Sequence, residues 1–330
     1  MSMQRISVIG AGAWGTALAI LAHRAGRDTV LWVRRAEHAE ALRRARENAA
    51  YLPGVALDPA IRIETDLARA LDADAVLYAQ PAQHFRGFCR SAAPLWKAAV
   101  LVIAAKGIEC ETGSLLNEIA AAEIPAAPTI ILSGPSFAME AARGLPTAVA
   151  LAGSREDVVE GLMQALAHGA FRPYGSDDPT GVEIAGAVKN VLAIACGIVL
   201  GKGLGENARS ALITRGTAEV ARLALAKGGR AETLMGLAGI GDLILTSTSL
   251  KSRNTSLGFE LGHGAPLAEI LASRRSVAEG VTTAAAVTTL ANGIGVDMPI
   301  SFAVNRILKD ASSIDDEVRA LLSRPLKHEI

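Results

Sequence analysis

Ile6-Ser7-Val8-Ile9-Gly10-Ala11-Gly12-Ala13-Trp14-Gly15-Thr16-Ala17-Leu18-Ala19 is the stretch that decides the fold. Its first four residues read as a buried strand, its last four as the start of an apolar helix. Between them lies GxGxxG. Such a loop alone is a weak signal; with a strand before it and a helix after it, the signal is strong. Gly10 permits a tight turn, Gly12 lets backbone approach a pyrophosphate, and Gly15 allows close helix–strand packing. The helix N-terminus turns unpaired N–H groups and the positive end of its dipole toward a diphosphate.

Outward from this loop, short β-rich runs alternate with helical stretches. Strands are expected at 6–9, 29–33, 75–79, 100–105, 129–133, 147–151 and 170–174, and helices at 16–25 and 36–48. A change in composition follows Gly175-Ser176-Asp177-Asp178-Pro179. Beyond it the pattern is helical, at 182–200, 208–226, 231–237, 266–271, 282–292 and 300–308. The expectation is an α/β chain: an N-terminal Rossmann domain with a doubly wound parallel sheet over 1–178, then an all-helical domain over 179–330.

The 330 residues suffice for two cores. Lysine plus arginine number 33 and aspartate plus glutamate 33, so no overall field draws the chain to nucleic acid. Half of the residues are hydrophobic but only 4% are aromatic, which points to a core of Ala, Val, Leu and Ile, as a buried parallel sheet requires. Cys89, Cys110 and Cys196 lack metal spacing and are odd in number, which suggests reduced thiols in a cytoplasm. The N-terminus shows no basic-then-apolar leader. The apolar run at 191–200 is too short to span a bilayer, so no membrane insertion is expected. The histidines are scattered, and no metal is expected.

The chemically unusual residues cluster just after expected strands: Gly10 to Gly15, Arg34-Arg35, Gln80-Pro81, Lys106-Gly107 and Gly134-Pro135-Ser136. In open α/β sheets the ligand crevice lies outside the carboxyl ends of the strands. About 20 residues after the glycine loop an acid would bind the ribose hydroxyls of NAD; Arg34 and Arg35 stand there instead. Arginine forks onto a 2′-phosphate, which favours NADP(H), with NAD(H) as the second candidate. The alternative is that the two merely begin a solvated basic helix continued by Arg43, Arg44 and Arg46.

Lys189 and Asn190 interrupt an otherwise almost wholly apolar stretch at 182–200. A buried ammonium is costly unless paired, so this lysine either reaches solvent, has a partner, or is held for chemistry. Downstream, Gly239-Ile240-Gly241-Asp242-Leu243, Thr246 and Ser249-Leu250-Lys251-Ser252-Arg253-Asn254 offer hydroxyl, amide and guanidinium groups to a small oxyanion. A polar surface loop with helix caps would look the same.

Taken in order, GAGAWGTALA, AAKGIE, LSGPSFA, GAVKN, NARSALITRG, GIGDL, TSLKSRN and AEGVTT make the chain resemble the bacterial NAD(P)-dependent glycerol-3-phosphate dehydrogenase family over nearly its whole length. The resemblance implies a helical C-terminal domain like that of 6-phosphogluconate dehydrogenase. It also implies interconversion of dihydroxyacetone phosphate and sn-glycerol 3-phosphate, which feeds phospholipid synthesis. By the same resemblance Lys189 is the proton donor and acceptor, and Lys106, Gly134 and Ser136 touch the triose phosphate. Asp242, Ser252, Arg253 and Asn254 complete the substrate pocket. Gly10, Gly12, Trp14, Gly15, Arg34, Arg35, Lys106, Ala138, Arg253, Val277 and Glu279 flank the dinucleotide. Where the family often has an acid after the catalytic helix, this chain has Leu200 and then Lys202. The alanine-rich helices suit a homodimer.

Overall fold

The computed structural model describes residues 3–274, 278–309, 312–326 and 328. Strands β1–β10 are Arg5–Ile9, Asp28–Trp32, Glu47–Asn48, Leu52–Ala56, Arg62–Glu64, Ala75–Tyr78, Val100–Ile103, Thr129–Ser133, Thr147–Ala152 and Phe171–Ser176. Helices α1–α7 are Ala13–Arg24, Ala36–Ala45, Leu67–Ala70, Phe85–Ala92, Leu116–Glu123, Ala138–Ala142 and Glu156–Leu166. Helices α8–α15, which follow the last strand, are Pro179–Gly201, Gly205–Ala226, Asp242–Ser247, Arg253–Gly262, Leu267–Ser273, Glu279–Gly293, Pro299–Lys309 and Ile314–Leu322.

Eight strands form one sheet in the order β10-β9-β8-β7-β6-β1-β2-β5. From β5 to β8 this is the doubly wound order, reversing between β1 and β6. The sheet is buried on both faces: Val8, Leu77 and Val102 point into one core, Ile9, Tyr78 and Ile103 into the other. Register aligns the strand ends. Ile9 lies opposite both Trp32 and Tyr78, and Ile103 opposite Tyr78 and Ile131. The five unusual loops of the sequence therefore open along one edge.

The sheet departs from the expected all-parallel order at its far side. β9 pairs antiparallel with β8, and β10 runs parallel to β9. The connection 134–146, which carries α6, turns the chain round instead of crossing back to the starting edge. This reversal sets up the site. β10 delivers the chain to the edge opposite the ligand crevice, and α8 must run back along the sheet. Lys189 stands ten residues into α8 from Pro179, about 15 Å, nearly the span of a five-residue strand, about 17 Å. A Cβ on Gly186, one turn earlier, would sit 2.7 Å from Ser133 Oγ at the end of β8.

By length and composition α8 passes for a membrane span, contrary to the expectation from its uninterrupted apolar run. What decides is that 89% of its most apolar window is buried inside the fold, wrapped by α9, α10, α11 and α13.

Other expectations shift locally. The helix expected to reach residue 48 stops at Ala45, where Arg46 turns left-handed (φ 49°) and Glu47–Asn48 joins the small antiparallel β3–β4 sheet. The segment 231–237 becomes a 3-10 turn at Glu232–Met235, followed by a wide π turn at Leu237–Gly241. Lys202, standing near where an acid was expected, pairs with Asp315 of α15 at 2.8 Å.

Candidate active site

At the first loop, Gly15 is demanded by close approach: a Cβ there would fall 1.8 Å from Gly10 O. Nothing lies within 4 Å of where a Gly12 Cβ would be, and α1 has no side-chain cap. The open ground above bare helix N–H groups suits a diphosphate. Trp14 packs on the core beside it with its Nε1 buried and without a partner. The residues present thus fit a dinucleotide. Arg34 and Arg35 are exposed just past β2, and Arg35 leans on Tyr51 at 3.4 Å. Ala138 begins α6, which packs against α1.

A brace that sequence reasoning missed supports this loop. Asn48, 1% exposed, donates to Ala11 O at 3.0 Å and contacts Thr16 Oγ1 at 2.7 Å. It comes from the β3 hairpin, more than 30 residues on, and no local signal announces it.

Further along the same edge, Asp242 links two lysines. Its Oδ1 accepts from Lys189 Nζ at 2.7 Å and its Oδ2 from Lys106 Nζ at 2.5 Å. Lys189 also reaches Thr246 Oγ1 at 2.7 Å, and Lys106 reaches the Gly134 carbonyl at 3.2 Å. Gly134 has φ +149°, and a Cβ on it would meet Val149 Cα at 2.9 Å, so the carbonyl can be presented there only from glycine. Ser136 Oγ donates to the same carbonyl at 3.0 Å. The structure thus brings together Lys106, Gly134, Ser136, Lys189 and Asp242.

Electrostatics follow from this triangle. Burial lowers the Lys189 ammonium to about 8; the Asp242 carboxylate opposes the shift and the Lys106 charge adds to it. Burial works to raise the Asp242 carboxyl, but the two lysines outweigh it and hold it below its ordinary range. Glu279, half-buried, is raised by burial against the pull of Arg253, Lys106 and Lys189. Lys189 is therefore a buried amine poised between its two protonation states near neutral pH.

The polar segment at 249–254 is not a free loop: it leads into α11. Ser252 caps that helix, its Oγ accepting from the Thr255 N–H at 3.3 Å. Asn254 is buried and structural in its contacts, donating to Asn190 Oδ1 at 2.9 Å and accepting from the Gly280 N–H at 3.0 Å. Arg253 is exposed, and its charge acts on Glu279. Val277 lies outside the described residues.

The loop carrying Lys106 is held from both sides. Gln83 takes the Cys110 N–H and donates to Ile108 O, and Arg86 grips Glu109 through two bonds of 2.7 and 2.8 Å. Glu109 lay in the AAKGIE motif, but its partner 23 residues upstream gave no sign of itself.

A glycine loop for a diphosphate and a buried lysine–aspartate–lysine chain on one sheet edge define a class, the nicotinamide-dinucleotide oxidoreductases. Sequence comparison narrows it. The N-terminal model of the NAD-dependent glycerol-3-phosphate dehydrogenase family matches residues 5–159, and its C-terminal model matches 178–319. The chain belongs to this family. A glycerol-3-phosphate dehydrogenase [NAD(P)+] from Parvibaculum lavamentivorans is 54% identical over 330 residues, all of this chain and 99% of that one. Its counterpart from Rhodospirillum rubrum is 53% identical over 99% of this chain and 94% of its own. The crystal structure of glycerol-3-phosphate dehydrogenase from Coxiella burnetii superposes with a TM-score of 0.94 at 38% identity, covering 98% of this chain and 99% of that one.

Proposed function

We propose that the protein reversibly reduces dihydroxyacetone phosphate to sn-glycerol 3-phosphate with NADPH, and less readily with NADH, supplying glycerophospholipid synthesis in the cytoplasm. Residues 1–178 hold the dinucleotide and 179–330 bring the catalytic lysine and most of the substrate contacts. The observation that carries this reading is Lys189, buried and bound to Asp242, in a chain of this family.

Bound NAD(P)H supplies the hydride to C2 of the triose. As that carbon turns tetrahedral, negative charge gathers on its oxygen; the Lys189 ammonium stabilises the charge and gives up its proton. In the reverse direction the neutral amine takes the proton back. Asp242 and Thr246 aim Lys189, and Asp242 keeps it protonated against burial. Lys106 positions and polarises the carbonyl beside Gly134 and Ser136. Arg253 forks onto the phosphate, with Asn254 and Ser252 fixing the helix start from which it projects. Glu279 and Ala138 lie along the dinucleotide. Arg34 meets the 2′-phosphate. A homodimer suits the exposed faces of the helical domain.

The test follows absorbance of the reduced nicotinamide with dihydroxyacetone phosphate, using each cofactor, and with unphosphorylated dihydroxyacetone as control. Turnover that needs the phosphate and prefers NADPH is the expected result. In Arg34→Gln, kcat/KM for NADPH should drop about tenfold or more while that for NADH barely moves. Equal use of dihydroxyacetone and its phosphate defeats the substrate assignment, and a clear NADH preference defeats the cofactor assignment.

A further inference from the structure

On the same helix as Lys189, six residues earlier, stands an acid that the chemistry above leaves unused. Glu183 is 3% exposed. Its Oε1 accepts from the Leu116 N–H at 2.5 Å and its Oε2 from the Asn117 N–H at 3.3 Å. These are the first N–H groups of α5, the helix that follows the Lys106 loop. The neighbouring Leu115 N–H is taken locally by Glu118 at 2.9 Å. A nearby serine or aspartate would cap α5 equally well; a carboxyl arriving from α8 also ties one half of the molecule to the other.

That tie controls geometry. Six residues along a helix advance it by about 9 Å and turn it by about 240°, so Glu183 and Lys189 leave α8 on different faces. Midway, Gly186 lies against Ser133 and the Lys106 stem. With Glu183 seated on α5 and Gly186 on the end of β8, the height and rotation of α8 are both set. We propose that Glu183 is a positioning residue: by holding the α5 N-terminus it places the Lys189 amine against the substrate carbonyl. The proposal rests on Lys189 acting as described above.

Burial pushes the Glu183 carboxyl up to about 8, with Glu118 adding to the rise and the Leu116 and Asn117 N–H groups and Lys227 opposing it. The charged groups facing it, Glu118 on α5 and Lys227 after α9, pair with each other. Near neutral pH Glu183 is thus mainly the uncharged acid. Ionisation at higher pH places a charge in a dry seam and loosens the seat of α8.

Two variants test this. Glu183→Gln keeps shape and neutrality and one accepting oxygen for the Leu116 N–H, at the loss of the weaker bond from the Asn117 N–H. Glu183→Leu fills the space but orphans both N–H groups of α5. Rates are measured in both directions from pH 6 to 10, with NADPH binding followed by fluorescence and folding by thermal melts. In the leucine variant, kcat for reduction should fall by about 30-fold or more while the NADPH Kd holds within about twofold. The glutamine variant should restore kcat to within about threefold of the parent. In the parent, glycerol 3-phosphate oxidation should decline above pH 8 as Glu183 ionises, although neutral Lys189 favours that direction there. The glutamine variant should not show that decline; a parent without it overturns the pH part of the proposal. A folded leucine variant with the parent's kcat overturns the proposal. So does a glutamine variant with the parent's high-pH decline, and that readout decides alone if the leucine variant does not fold. A parent protein inactive on dihydroxyacetone phosphate defeats the assigned reaction itself; an active parent with indifferent variants defeats only the role of Glu183.

Discussion

Asp242→Asn removes one charge and one acceptor from the centre of the site. The carboxylate now gives each lysine its own oxygen, Oδ1 to Lys189 and Oδ2 to Lys106. Asparagine has a single oxygen, so its NH2 must confront one of the ammonium groups. Opposite charges 4 Å apart interact by about 4 kcal/mol at an effective dielectric of 20, or about three pH units of protonation equilibrium. Lys189 starts at about 8 with Asp242 holding it up against burial and Lys106. Without that support it becomes mostly neutral at pH 7. Reduction of dihydroxyacetone phosphate, which needs the ammonium, should then fall by about a hundredfold at pH 7 and recover as pH drops toward 5. Oxidation of glycerol 3-phosphate, which needs the amine, should lose much less. Initial rates in both directions from pH 5 to 9 measure this directly. If the protonation limb for reduction stays where it lies in the parent, Asp242 does not tune Lys189 and the electrostatic reasoning is wrong.

Arg253→Lys keeps the positive charge but loses the fork, so KM for dihydroxyacetone phosphate should rise by about tenfold while kcat changes little; steady-state kinetics that show kcat falling alone would contradict this. Gly15→Ala forces a methyl into the Gly10 carbonyl. It should cost about 1–3 kcal/mol of stability and weaken NADPH binding together, read as a lower Tm and a higher Kd; a variant unchanged in both would mean the loop yields freely.

The glycine loop and the parallel core of the sheet were legible because their signals are local: apolar strands, turn glycines and periodic helices recur within a few residues. Lys189 was legible as an ammonium in a nearly apolar helix that needs a partner, but Asp242 read as a substrate group, and its pairing with Lys189 across 53 residues had no sequence signal. The rest depends on contacts between distant residues. Asn48 reads as the end of a charged helix until the left-handed Arg46 ends that helix and turns Asn48 onto the glycine loop. The reversal of β9 hides in a short connection that sequence cannot tell from a crossover. Ser252 and Asn254 looked like ligand groups because caps and ligand groups use the same chemistry; here their side chains are committed to α11, Asn190 and Gly280. Glu183 gave no signal at all, since one acid near a helix start is ordinary.

The proposed reaction turns on the amine of Lys189. Lys189→Ala, assayed for dihydroxyacetone phosphate reduction alongside NADPH binding, tests it most directly. The expected result is a kcat lower by about 10²–10⁴-fold, the range for loss of a general acid, with the NADPH Kd nearly unchanged. A kcat within a few-fold of the parent, at intact cofactor binding, would contradict it.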